Sequence, residues 1–322
     1  MNESLLDRSE NLYIFSGTSH PCLANGIASY IGEKVCNAVV QKFNNGETQV
    51  MLGDNVRGKH VFVLQTFCTP VNEMIIELLV MVDAIKRASA SSVTAVIPYY
   101  AYNRQDQKFH DRDPITAKLL ANMITAAGVD RVITMDLHSG QLEGFFDLPV
   151  EHIFSEAILG KYVLELLAGH TDEIVVVSPD MAGVSRARYF AKRLNAPMVI
   201  LDRRRPKPDV AVVVDIVGDV KDKTALLIDD TIDTAGSIVE GAKALKEAGA
   251  KSIYAACTHA VLSGNAVAQL ANSHVEQLIV TDTIPLPKDK QNEKIKVVTI
   301  SPIFGEVILR IFNEQPVSKL YD

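Results

Sequence analysis

Ala225-Leu226-Leu227-Ile228-Asp229-Asp230-Thr231-Ile232-Asp233-Thr234-Ala235-Gly236-Ser237 reads as a buried strand that stops at paired carboxylates, followed by a turn of small residues that opens into a helix. Each part has its own chemistry. Paired carboxylates accept hydrogen bonds from vicinal hydroxyls, as a sugar presents them. Backbone N–H groups and hydroxyls at a helix N-terminus, here Thr234 to Ser237, suit a phosphate. The plainer alternative is a strand, a solvated acidic turn and Ser237 as an N-cap.

Working outward, a helical pattern runs over Ser237–Ala248, with Gly249 where a helix C-terminus favours glycine. Other helical segments fall near Asn72–Ala88, Ile115–Ala127 and Ala182–Leu194. Between them lie short apolar runs at Val61–Gln65, Val93–Pro98, Arg131–Met135, Ile174–Val177, Met198–Leu201, Ser252–Cys257 and Gln277–Thr281. Uninterrupted apolar strands alternating with helices indicate an α/β chain with parallel sheets. The alternation occurs on either side of a gap near Asp147–Ser155, so two tandem doubly wound domains are expected, residues 1–150 and 151–322. Ligands of such sheets collect beyond the carboxyl ends of strands. Polar clusters follow four of them: Tyr102–Lys108, Asp136–Ser139, Ser178–Asp180 and Asp229–Ser237.

Composition narrows the class. At 322 residues, 48% hydrophobic and 22% charged, the chain is globular and long enough for two cores. A net charge of −7 argues against a general nucleic-acid binder, while leaving room for a local cationic pocket. Cys22, Cys36, Cys68 and Cys257 form no CxxC pair, which fits reduced thiols of a cytoplasmic protein. The polar opening MNESLLDRSE is unlike a signal peptide. No uncharged apolar run reaches the roughly 18–20 residues of a membrane span.

The Asp229–Ser237 stretch resembles the phosphoribosyl-diphosphate loop of type I phosphoribosyltransferase folds. Lys42–Glu47 (KFNNGE), Asn103–Lys108 (NRQDQK), Thr134–Pro149, Ser178–Arg188 (SPDMAGVSRAR) and Thr258–Ala266 (THAVLSGNA) extend the likeness over nearly the whole chain. In order and kind they resemble the ribose-phosphate diphosphokinases. The resemblance implies transfer of a diphosphoryl group from MgATP to ribose 5-phosphate. It implies that Asp229, Asp230, Asp233, Thr234, Ala235, Gly236 and Ser237 hold ribose 5-phosphate, together with Arg205. Arg104 and Gln105 match the family's ATP-contacting pair, and Asp106 has an acceptor for an exocyclic amine. Phe43-Asn44-Asn45-Gly46-Glu47 is turn chemistry by itself. By resemblance Phe43, Asn45, Gly46 and Glu47 line an adenosine site reached across a subunit contact, in a homo-oligomer that is a hexamer in similar bacterial proteins. His138 matches the family histidine beside the ATP phosphates and metal, and Asp180 is a hard-oxygen ligand for Mg²⁺.

Leu201-Asp202-Arg203-Arg204-Arg205-Pro206-Lys207-Pro208-Asp209 is expected to be an irregular loop, either solvated or a mobile flap over the triphosphate. Arg203 and Arg205 are its catalytic candidates, together with His138. The family usually carries lysine where this chain has Arg203, and guanidinium and ammonium are not interchangeable. Two other readings stay open on sequence: a phosphoribosyltransferase, and a non-catalytic regulatory paralogue of the synthetase.

Overall fold

The computed structural model describes residues 11–168, 174–207 and 210–320, with the backbone alone at 203–207 and 210–214. The opening MNESLLDRSE and Pro208-Asp209 therefore lie outside the described residues, as do the side chains of Arg203 and Arg205. The chain divides into two compact units. One comprises Met1–Ile153, Thr283–Pro285 and Thr299–Asp322, the other Phe154–Asp282 and Leu286–Val298.

The first unit is built on a five-stranded parallel sheet in the order β1-β4-β5-β6-β7. Its strands are β1 (Leu12–Ser16), β4 (His60–Leu64), β5 (Ser92–Ile97), β6 (Arg131–Met135) and β7 (Val150–Ile153). The runs Val61–Leu64 and Val93–Ile97 are buried throughout, polar Thr94 included, as strands covered on both faces must be. Helix α1 (Pro21–Ile31), α2 (Val71–Arg87), α3 (Thr116–Ala126) and α8 (Ser301–Phe312) complete the unit. In α2 the residues Met74, Leu78, Met81, Val82 and Ile85 form its buried stripe. A separate antiparallel ribbon, β2 (Ala38–Lys42) and β3 (Thr48–Leu52), packs through β3 on α2.

The second unit has a seven-stranded sheet in the order β10-β9-β8-β11-β12-β13-β14. Its strands are β8 (Ile174–Ser178), β9 (Met198–Lys207), β10 (Val210–Val217), β11 (Thr224–Ile232), β12 (Ser252–Ala260), β13 (Gln277–Thr281) and β14 (Ile295–Val298). All neighbours are parallel except β9 and β10. Helices α4 (Glu156–Leu166), α5 (Val184–Leu194), α6 (Gly236–Glu247) and α7 (Ala266–Ala271) flank it. Leu227 and Val177 contribute to one buried cluster with Ile238 and Leu245 of α6. Leu226, Ile228 and Val176 contribute to the other, with Phe190 and Leu194 of α5. Alternate side chains of each central strand thus enter opposite cores.

Three expectations need correction. The strand over Ala225–Ile228 does not stop at the acids: β11 continues through Asp229 and Asp230 to Ile232, paired with β12 as far as Ala260. The arginine stretch is no irregular loop up to Lys207, because β9 carries on and pairs with β10, Arg204 opposite Val212 and Arg203 opposite Val213. Finally, a division at 150/151 assigns the whole tail to the second domain, whereas Thr299–Asp322 belongs to the first unit.

Candidate active site

At β8 the second sheet reverses its strand order, with β9 on one side and β11 on the other. Loops leaving adjacent strands at such a reversal diverge and open a crevice beyond their carboxyl ends. Ser178–Asp180 leaves β8 there, and Asp229–Ser237 belongs to β11 and its exit. The first sheet runs in one direction from β1 to β7.

Asp229 and Asp230 are adjacent but electrostatically unlike. Asp230 is buried, and its carboxylate lies 3.3 Å from Nη1 of Arg186, on α5. Burial pushes the Asp229 carboxyl well above the usual carboxylate range. The charges of Asp230 and Asp180 add to the rise, and Arg186 opposes it. The Asp230 N–H donates to the Asp229 carboxylate at 2.9 Å. Behind them, Cys257 on β12 is fully buried, and its thiol donates to the Asp230 carbonyl at 3.3 Å. That thiol is itself raised far above its usual range by burial and by the two acids, so it is inert packing.

The turn after β11 is braced by the segment following β12. The Leu262 N–H donates to the Ile232 carbonyl at 3.0 Å and the Ser263 N–H to the Asp233 carbonyl at 2.9 Å. The Ser263 hydroxyl donates to the Asp233 carboxylate. Ala235 then takes a left-handed conformation, φ 66° and ψ −3°, and α6 starts at Gly236 without a side-chain cap. Ser237 therefore lies inside the first turn and is not the N-cap of the plainer reading. The first-turn amides carry the partial positive charge that suits a phosphate.

Asp180 Oδ1 accepts the Gly183 N–H at 2.9 Å, and the Ser178 hydroxyl donates to the Asp180 carbonyl at 2.7 Å. Asp229 feels the charges of both Asp230 and Asp180, and carboxylates are the oxygen donors that a hard divalent cation takes. Among the described residues, no group of three or more His, Cys, Asp or Glu side chains is gathered tightly enough to cage a metal by itself.

In the first unit, the loop after β5 and the loop after β6 are joined. Ser139 Oγ donates to Asp106 Oδ2 at 2.5 Å, bringing the Arg104–Asp106 segment beside His138. Gln105 is committed locally: its N–H donates to the Tyr102 carbonyl at 2.8 Å, and its Oε1 accepts from Thr116 at 2.6 Å. Arg104 and His138 are exposed. Phe43, Asn45, Gly46 and Glu47 form the tip of the β2–β3 ribbon. There the Phe43 N–H donates to Glu47 and the Gly46 N–H to Phe43, both at 2.8 Å. Lys42 at the ribbon's end pairs with Glu73 of α2.

Arg186 and Ser263 lie within the stretches Ser178–Arg188 and Thr258–Ala266, but neither carries a functional signal of its own in the sequence. Arg186 reads as one of several cations on a helix, and only the fold turns it toward Asp230. Among the described residues, no helix is long and apolar enough to cross a membrane.

Comparison with known proteins shows two family matches. Residues 12–128 match the N-terminal domain of ribose phosphate pyrophosphokinase, and residues 199–322 match the phosphoribosyl synthetase-associated domain. A ribose-phosphate pyrophosphokinase of Clostridium acetobutylicum is 53% identical over 98% of this chain and 99% of its own length. The protein of that name from Bacillus subtilis is 49% identical over 97% and 98%. The crystal structure of phosphoribosylpyrophosphate synthetase from Mycobacterium smegmatis matches with a TM-score of 0.89 at 39% identity, covering 94% of this chain and 99% of that one.

Proposed function

The chain belongs to the ribose-phosphate pyrophosphokinase family and transfers the diphosphoryl group of ATP to the C1 hydroxyl of ribose 5-phosphate, and we propose how its residues divide that work. The observation that carries the assignment is the Asp229–Asp230 pair at the strand-order reversal, running directly into the uncapped N-terminus of α6. Asp229 and Asp230 accept the ribose hydroxyls, while the Asp233–Ser237 turn binds the 5-phosphate with its backbone N–H groups. Arg104, Gln105 and Asp106 bind ATP together with Phe43, Asn45, Gly46 and Glu47. Arg203, Arg205 and His138 offset charge on the transferring group. The C1 oxygen bonds to the β-phosphorus and gives up its proton to solvent, as the bond from that phosphorus to the α,β-bridging oxygen breaks and AMP leaves with that oxygen. Positioning and charge stabilisation account for most of the acceleration, without a covalent nucleophile.

Mg²⁺, taken with ATP, is the proposed cofactor, and His138 and Asp180 are its candidate ligands. When bound, it neutralises phosphate oxygens and orients the triphosphate. The charges of Asp180 and Asp230 acting together on Asp229 support this choice. The ribbon tip completes a neighbouring subunit's ATP site, in a hexamer as the resemblance implies.

Incubation with MgATP and ribose 5-phosphate, followed by ³¹P NMR, should give AMP and the 1-diphosphate product. Arg203 supplies the graded test. Arg203→Lys should raise kcat about tenfold, because a compact ammonium suits a single point donor better than a broad fork. Arg203→Ala should cost at least about two orders of magnitude. Equal kcat and substrate affinity in all three proteins would remove Arg203 from the machinery. Absence of product from all three would favour the non-catalytic paralogue.

A further inference from the structure

Outside the residues assigned above, the first unit holds a histidine whose two ring nitrogens are both engaged. His152 on β7 has a side chain only 7% exposed. Its Nε2 lies 3.0 Å from the Leu137 backbone N–H, and its Nδ1 lies 2.5 Å from Glu143 Oε1, in the 3₁₀ turn Gly140–Phe145. A backbone N–H can only donate, so Nε2 is the acceptor. In the neutral ring the proton then sits on Nδ1 and is donated to the Glu143 carboxylate, which fixes both tautomer and ring plane.

The position of this bond gives it consequence. Leu137 directly precedes His138. One residue earlier, Asp136 is buried and left-handed at φ 38°. Its N–H still makes the sheet bond to Ile153, at 3.0 Å. The twist at Asp136 takes the chain out of β6, and the next N–H is received by an imidazole instead of a strand carbonyl. A non-glycine residue in that conformation persists only where its surroundings fix it. The acceptor that meets it at Leu137 is His152.

We propose that His152, oriented by Glu143, is a positioning residue for the reaction: it holds the Asp136–His138 turn so that His138 meets the ATP phosphates. This rests on the placing of His138 in the ATP site made above. His152 itself touches no substrate. Its effect should therefore appear on the ATP side alone, since the ribose 5-phosphate residues belong to the other unit.

The test is steady-state kinetics of the full chain with both substrates varied, together with Tm. His152→Ala, which lacks the acceptor, should lower kcat/KM for MgATP about tenfold or more, as loss of an outer-sphere orienting bond commonly does. KM for ribose 5-phosphate should stay within about twofold. His152→Gln keeps a neutral acceptor within reach of the Leu137 N–H and should restore kcat/KM for MgATP to within about threefold of the parent. A purely structural histidine would lower Tm and the active fraction, leaving both KM values unmoved in the surviving enzyme; that result overturns the proposal. So does a Gln variant as impaired as Ala. His138→Ala separates the two ideas. If it abolishes turnover while His152→Ala behaves as the parent, the positioning role fails and the His138 assignment stands. If His138→Ala is itself fully active, the His138 assignment falls, and the positioning role falls with it.

Discussion

Asp229 and Asp230 share a peptide bond and differ in nearly everything else. Asp230 is paired with Arg186, whereas at Asp229 burial and the charges of Asp230 and Asp180 outweigh that guanidinium. A carboxyl whose folded-state pKa is raised favours folding while it is protonated. That contribution is complete below its unfolded value and is lost as the pH climbs toward the folded one. Asp229 is thus a cost to the fold at neutral pH, and the two asparagine variants should move stability in opposite directions. Asp229→Asn should raise Tm at pH 7–8 by about 2–4 °C for each kcal/mol of relieved ionisation, with the difference vanishing below about pH 4. Asp230→Asn should lower Tm, because it leaves the Arg186 guanidinium without its buried counter-charge, at roughly 1–3 kcal/mol. Scanning calorimetry across that pH range checks both signs. Each variant should also lose saturation by ribose 5-phosphate before it loses ATP binding. Parallel stability shifts would mean that the two carboxyls share one environment.

Two antiparallel ribbons carry candidate functional residues, and of their four strands only the start of β9, Met198–Leu201, was expected from its apolar run. In β2–β3 the cross-strand pair Val39 and Met51 is about half exposed, and polar Gln41 faces Gln49. A two-stranded ribbon is marginal by itself, so its packing on α2 maintains it. Gly46 at its tip has φ 91° with open space around the position of a Cβ. Gly46→Ala therefore meets no clash and bears only the backbone cost, about 1–2 kcal/mol. KM for MgATP should rise severalfold while global Tm changes little, since the ribbon is peripheral to the sheet core. An unchanged KM would dissociate the tip from the ATP site. In β9–β10, β8 pairs with Met198–Ile200, and beyond Ile200 β9 has no strand partner but β10 among the described residues. Pro206 falls between the pairs Lys207–Val210 and Arg204–Val212, where the register shifts, and a bulge in an edge ribbon is a place where a strand tolerates proline. Proline read as a loop signal was sound chemistry for a central strand and misleading for an edge.

At the scale of the molecule, the tail is the part that local pattern misassigns. Helix α8 packs against α1 across most of the chain's length. The contact is made close by glycine: a Cβ on Gly26 would run into Ser301, and one on Gly305 into the Tyr30 ring. Nothing in the pattern of Ser301–Phe312 specifies that partner. Assembly is the second whole-molecule question. If the Phe43–Glu47 tip completes a neighbour's site, dilution until the oligomer dissociates should abolish turnover even with ATP in excess. Light scattering alongside activity measures this directly. A monomer of full specific activity would restrict the tip's role to its own chain.

The amino-acid sequence determined what depends on neighbours along the chain. Apolar runs bounded by turns fixed where the central strands lie, and the alternation with helices fixed the parallel α/β class. The acids, the hydroxyls and the one glycine between Asp229 and Ser237 are the local signal on which a phosphorylated sugar is proposed as the ligand of that turn. Tertiary structure decided what depends on distant partners. It paired Arg186 with Asp230, braced the Asp233 turn with Ser263, and continued β11 through the acids because β12 offered a ladder as far as Ala260. It also gave the Leu137 N–H an imidazole from the next strand. Sheet pairing and buried charge are relations between segments remote in sequence, and a residue's type carries no record of which remote segment will arrive beside it.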